Sequence, residues 1–194
     1  LTSGFSSADL AVVVDVSDTA MAASGTNKQI TLANLGEALR ALGLAGLTTC
    51  KQSAQVTNSS NTTATNITGL SFSVVSGRRY AFKFIGTYQT AATGTGIGFC
   101  FTGPTVTSFG SQVRVRQAAD GTDSFFETSN VTTTLTTVAP SASAVAATTD
   151  YYWTVEGHIT PSANGTLQLQ CRSEVNASQV TVQNVGVGYL IDAG

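Results

Sequence analysis

From Leu70 onward apolar and polar residues alternate in short runs that Gly, Pro or Asn bring to a close, and this pattern restricts the chain to a β-rich fold. Leu70, Phe72 and Val74 alternate with serines. After a turn at Ser76-Gly77, Tyr80, Phe82 and Phe84 alternate with Ala81, Lys83 and Ile85. Successive strand side chains point to opposite faces, so each run buries one face and wets the other. Further strands are expected at 99–101, 113–116, 124–128, 132–138 and 179–185, the last leading through Gly186 and Gly188 to Tyr189-Leu190-Ile191. The clearest pair is 151–159 against 166–172, expected as a hairpin with Ile159 opposite Leu167 and Val155 opposite Cys171. That register puts Trp153, Val155, Ile159, Leu167, Leu169 and Cys171 on one face and Glu156, His158, Gln168, Gln170 and Arg172 on the other. A slip of one residue would invert both faces. Many short strands without long helices predict a mainly β fold, a jelly-roll-like β-sandwich preceded by a short N-terminal extended segment and one small helix.

The first 50 residues read differently. The apolar run 10–14 includes Val12, Val13 and Val14, and the short polar side chains of Asp15, Ser17, Asp18 and Thr19 then turn the chain. Residues 21–25 are a small-residue connection, and 28–32 is strand-like. A helix follows, because Asn34 with Glu37 makes a capping-box variant, Leu35, Leu39 and Leu42 recur at helical spacing, and Gly43 stands at the stop. A helix of two to three turns is marginal alone, so its leucine stripe needs a docking surface. Residues 1–50 are therefore expected to attach the protein to a partner through Val12, Val13, Val14, Leu35, Leu39 and Leu42. Residues 51–69, rich in Gln, Ser, Asn and Thr, are expected as a linker or wandering edge strand, and residues 70–194 as the sandwich domain.

Only 10% of residues are charged, against about 25% in ordinary soluble domains, so something else must cover the surface. Thr and Ser, about a quarter of the chain, suit half-wet strand faces, and a second subunit would cover the rest. Both readings favour a β-rich oligomer. A net charge of −2 and no basic cluster larger than Arg78-Arg79 give no footprint for nucleic acid. The apolar run 10–14 falls far short of the ~20 residues that span a bilayer, and no basic region precedes it, so neither a membrane anchor nor a signal peptide is expected. Cys50, Cys100 and Cys171 are odd in number and far apart, which fits small buried hydrophobes in a reducing cytoplasm better than a disulfide framework or a metal pair. Asn-x-Ser/Thr triplets begin at Asn58, Asn61, Asn66, Asn130, Asn164 and Asn176; Ser and Thr abundance accounts for part of them, and glycosylation is not expected.

Chemistry has few carriers. His158 is the only histidine. Glu156 shares its strand face and the two could hold a metal or move a proton, but a cross-strand polar patch with Arg172 diagonal to Glu156 explains them equally simply. Glycan cleavage needs two carboxylates facing each other in a groove. Asp120 and Asp123 flank a turn, Glu127, Asp150 and Glu174 sit near strand ends, and nothing selects a pair. Asp15 and Asp18 lack the oxygen density of a calcium loop. The Gly-rich stretch 93–98 lacks the Gly-Lys-Ser/Thr ending of a phosphate loop and is expected as a hairpin connection. No enzyme, cofactor or metal is expected.

Two stretches carry a resemblance. Val13-Val14-Asp15-Val16-Ser17-Asp18-Thr19 with residues 23–35 resembles an N-terminal segment of many phage tail-fibre, head-fibre and minor structural proteins. Trp153-Thr154-Val155-Glu156-Gly157-His158-Ile159, with 161–169 and 173–177, is similar to the closing strands of phage fibre and capsid-decoration domains. The resemblance implies a trimeric jelly-roll-like head attached through its N-terminal part. The expectation is a non-enzymatic bacteriophage virion structural protein, assembled in the bacterial host cytoplasm. It would be a homotrimeric head fibre or capsid decoration protein held on a phage capsid or tail protein by residues 1–50. The alternatives are a tail fibre or receptor-binding protein recognising a host surface glycan, and a carbohydrate-active or secreted protein outside phages.

Overall fold

The computed structural model describes residues 10–13, 28–31, 34–36, 39, 46–116, 125–132, 135, 139–140 and 146–194. The chain divides into two compact units, Leu1–Gly46 and Leu47–Gly194. In the first, β1 (Leu10–Val13) pairs antiparallel with β2 (Lys28–Thr31), Leu10 opposite Thr31 and Val13 opposite Lys28. The valine run thus has a backbone partner within its own unit. Residues 34–36 and 39 are helical, where Asn34 and the leucine spacing place a helix. Val14, Leu42, Gly43, the turn at 15–19 and the connection 21–25 lie outside the described residues.

The second unit contains β3 (Leu47–Lys51), β4 (Val56–Asn58), β5 (Thr65–Val74), β6 (Tyr80–Thr90), β7 (Ile97–Thr102), β8 (Val106–Arg116), β9 (Phe125–Thr132), β10 (Ala139–Pro140), β11 (Tyr151–Pro161), β12 (Gly165–Ser173), β13 (Val180–Val182) and β14 (Val187–Asp192). All described pairings are antiparallel. One sheet has the order β10-β7-β12-β5 and the larger one β3-β14-β6-β11-β8-β9. The pairings β5 with β12, β6 with β11, β7 with β10 and β8 with β9 are nested. They describe one long hairpin, four strands out and four back, and the pairs β12-β7 and β11-β8 roll it up. That is jelly-roll topology. β14 and β3 widen the larger sheet beyond the first half of β6, while β13, backed by β4, pairs with β6 at Tyr88–Thr90.

The core lies between the sheets, and aromatic pairs join them: Phe72 to Phe84 at 5.3 Å, Phe82 to Phe101 at 5.2 Å and Phe99 to Trp153 at 4.7 Å between ring centroids. The alternation over 70–74 and 80–84 holds, with Leu70, Phe72, Val74, Tyr80, Phe82 and Phe84 all buried. In β5 the alternation breaks once: Ile67 and Leu70, three apart, are both fully buried, and the register against β12 shifts between Gln168 and Gln170. Residues 67–70 there stand against Leu169 alone, an excess of three residues, and Gly69 lies within it at φ +88°, the left-handed conformation that glycine tolerates in a bulge. The Gln168 side-chain amide donates to the carbonyls of Ile67 and Leu70 at 3.0 and 3.1 Å, so the bulge leaves neither without a donor.

Three sequence expectations are corrected. β11 and β12 are not a hairpin: β11 lies between β6 and β8, and β12 lies between β5 and β7 in the other sheet. Trp153, Val155, Ile159, Leu167, Leu169 and Cys171 are all fully buried as the alternation requires, but they meet across the core instead of side by side. Residues 51–69, expected as a linker or wandering edge strand, hold β4, an edge strand paired with β13 alone, and the start of β5; they belong to the second unit, whose boundary falls before β3, so the linker alternative falls. The Asn58 side chain orders this polar stretch, its amide donating to Thr63 O and Thr65 Oγ1 while its carbonyl accepts the Ser60 and Ser173 N–H groups. The Gly-rich stretch 93–98 crosses from β6 in one sheet to β7 in the other, so it is not a hairpin turn.

Gly69→Ala and Gly94→Ala separate strain from collision. Both glycines have positive φ, which costs an L-residue about 1–2 kcal/mol, but a Cβ at Gly94 meets open space whereas one at Gly69 meets the Lys51 carbonyl oxygen. Urea unfolding is expected to show Gly69→Ala less stable than Gly94→Ala by roughly a further 1–3 kcal/mol.

Candidate functional site

The face of the larger sheet turned away from the core carries two adjacent rows of side chains. In one, Ile191 of β14 lies opposite Ala81 of β6, Ala81 opposite His158 of β11, and His158 opposite Gly110 of β8. In the next, Tyr189 lies opposite Lys83, Lys83 opposite Glu156, and Glu156 opposite Gln112. Ala81 and Gly110 are too small to fill the first row, and a groove of about 620 Å³ opens there. Tyr189 and Ile191 wall one side, 39% and 52% exposed. The imidazole of His158 lies directly over Gly110, where any Cβ would collide with its ring, and its Nε2 is 3.3 Å from Ser108 Oγ. Lys83 Nζ and Glu156 Oε2 are 3.0 Å apart, each side chain about half exposed. Such a pair is worth little to stability, so its contribution is to fix two polar groups beside the groove.

Sequence reasoning placed Glu156 and His158 on one polar face, and the structure agrees. It gave Glu156 the wrong partner. Arg172 lies in the other sheet, where its Nη1 donates to Asn61 O at 2.6 Å, and Lys83 takes its place. Lys83, Gln112 and Tyr189 were missed because they join the site through strand pairings that alternation does not encode. The one available signal was Lys83, a lone charge within the aromatic run of β6.

Two carboxylates are committed elsewhere: Asp192 is bound by Arg78 at 2.7 Å and Glu174 accepts the Gly96 N–H at 3.0 Å. Asp120 and Asp123 lie outside the described residues. Among the described residues no three His, Cys, Asp or Glu side chains gather as a metal site, and no helix is long and apolar enough to cross a membrane. The three cysteines are free. Burial pushes the Cys100 thiol up to about 11, with Arg172 opposing, and the Cys171 thiol up to about 12, with Cys100 adding to the rise. Burial also raises Cys50. These thiols stay protonated at neutral pH, which is the wrong state for a nucleophile.

Of the residues expected to attach the protein to a partner, Val12 and Val13 lie in β1, and Leu35 and Leu39 are helical, Leu35 half-buried and Leu39 37% exposed. Val14 and Leu42 are outside the described residues.

No protein-family model matches the chain, and no curated protein does. Among solved structures it is similar to that of the infectious bursal disease virus Gt strain, at 13% identity and a TM-score of 0.24, over 95% of this chain and 46% of that one. It is also similar to the crystal structure of the infectious bursal disease virus VP2 subviral particle, at 10% identity and a TM-score of 0.25, over 95% and 46%. The chain spans less than half the length of these proteins.

The buried thiols set an alkaline limit. Below pH 9 both folded and unfolded thiols are protonated; between pH 9 and the raised native values of about 11 and 12 the unfolded thiols ionise and the native ones do not. Stability therefore falls as pH rises through this window, by up to about 1.4 kcal/mol per unit for each thiol. Urea midpoints from pH 8 to 11 are expected to fall less steeply for a Cys100→Ala/Cys171→Ala double variant than for the parent.

Proposed function

We propose that this chain is a non-enzymatic structural component of a bacteriophage particle, a homotrimeric head fibre or capsid decoration protein held on the capsid by its N-terminal unit. The observation that supports this most is the division at Gly46/Leu47. Residues 47–194 close a core of their own between two sheets, whereas the first unit has four-residue strands and a helical segment that leaves Leu39 exposed. A short amphipathic piece of this kind gains stability by docking, and the self-sufficient domain is free to project. Jelly rolls serve many functions, so fold alone does not choose this one.

Self-association is supported by the surface. With only 10% of residues charged, the domain leaves Leu47, Val75, Val175 and Val185 exposed, and a symmetric oligomer removes such side chains from water. Glu156, Glu174 and Asp192 each hold a structural partner, and the thiols are protonated at neutral pH, which supports a role without turnover. Three free cysteines suit assembly in the reducing bacterial cytoplasm before release in the virion.

Light scattering of the full chain at micromolar concentration is expected to give three times the 19.9 kDa chain mass. Deleting residues 1–46 is expected to leave a soluble β-rich domain that no longer joins particles, and Leu39→Asp to lower incorporation without shifting the thermal midpoint. A full-length mass near 19.9 kDa would remove the trimer, and a truncated domain that is insoluble, or that still decorates particles at full occupancy, would remove the anchoring role.

A further inference from the structure

We propose that the groove above Ala81 and His158 on the outer face of the larger sheet binds a neutral glycan segment. This is independent of whether the N-terminal unit docks on capsid or tail.

The chemistry of the two rows selects the ligand class. The Tyr189 ring and Ile191 offer an apolar wall to the C–H face of a sugar ring. Opposite them stand side chains that both donate and accept: the Gln112 amide, the Lys83–Glu156 pair with N–H groups and a carboxylate oxygen to spare, and His158 beside Ser108. An apolar wall with a few convergent polar groups is the usual make-up of a small-ligand site, and about 620 Å³ lies within the usual range of such sites. The charges of Lys83 and Glu156 cancel at 3.0 Å, so the rows give no concentrated field for phosphate or an acidic peptide. The floor also rules out a peptide bound by strand addition. β14, β6, β11 and β8 are each paired on both sides, so no free backbone edge is open to an added strand. What remains is a ligand with hydroxyls around its rim and an apolar ring face.

The collision that any side chain at position 110 would make with His158 ties that residue to the site. Glycine there leaves the space that the imidazole occupies.

Saturation-transfer NMR on the full chain, with maltotriose, galactotriose, mannotriose and chitotriose as probes, tests the proposal. Transfer to the ring C–H protons of at least one is expected. Tyr189→Ala should weaken that binding about tenfold and Gln112→Ala severalfold. Tyr152→Ala, which removes another exposed tyrosine of β11 outside the groove lining, should leave it unchanged. Circular dichroism and thermal midpoints establish that each variant is folded. Absence of transfer from all four saccharides, equal loss in Tyr152→Ala, or binding only of inorganic phosphate in a salt-sensitive way would each overturn the proposal. A fall in oligomer mass for Tyr189→Ala would also overturn it, since the face would then be a contact between copies of this chain.

Discussion

The inner faces of β6 and β11 in the larger sheet meet those of β5 and β7 in the smaller one, and the remainder of the second unit is arranged around that aromatic seam. Trp153, fully buried in the larger sheet, sits 4.7 Å from Phe99 of the smaller one, and Phe82–Phe101 and Phe72–Phe84 repeat the contact along the sandwich. Aromatic pairs add about 0.5–1.5 kcal/mol each beyond the area they bury, so three of them across one seam help hold β6 and β11 in one sheet opposite β5 and β7 in the other. With β11 fixed between β6 and β8, the residues on its other face have determined neighbours: Glu156 falls between Lys83 and Gln112, and His158 between Ala81 and Gly110. The groove is therefore a by-product of how the core is closed.

The sequence revealed which way side chains face much better than which strands are neighbours. Alternation identified Leu70, Phe72, Val74, Tyr80, Phe82 and Phe84 as core, and separated Trp153, Val155 and Ile159 from Glu156 and His158. It could not distinguish a β11–β12 hairpin from two strands facing across a core, because both bury the same residues. The linker alternative for 51–69 arose for a different reason: the segment is ordered by the Asn58 side chain and its four hydrogen bonds, and such local polar bonding has no period. The bulge at Gly69 was equally hidden, since it exists only against β12. The outer site was half legible. Glu156 and His158 belong to one strand and were found together, whereas Tyr189, Lys83 and Gln112 come from β14, β6 and β8 and converge only once the hairpin is rolled.

The two units divide the physical tasks. The second carries a closed core, paired strands and a face on which charge is sparse and mutually cancelled, which suits a rigid platform that presents side chains in fixed rows. The first carries short elements and an exposed leucine, which suits a piece completed by a partner. Thr and Ser cover much of the surface that charge would cover in other domains, and their hydroxyls keep it wet without creating a strong field.

The groove exists only if β11 lies between β6 and β8, and backbone proton contacts measured by NMR test that placement directly. Nuclear Overhauser contacts are expected to connect the backbone of Val155 to those of Phe84 and Val113, and the backbone of Gly157 to those of Phe82 and Ser111. None is expected from Val155 to Cys171, because facing sheets stand about 10 Å apart. Backbone contacts joining Val155 to Cys171 and Ile159 to Leu167 would contradict the account, since they would put the two strands in one sheet and dissolve both rows of the outer face.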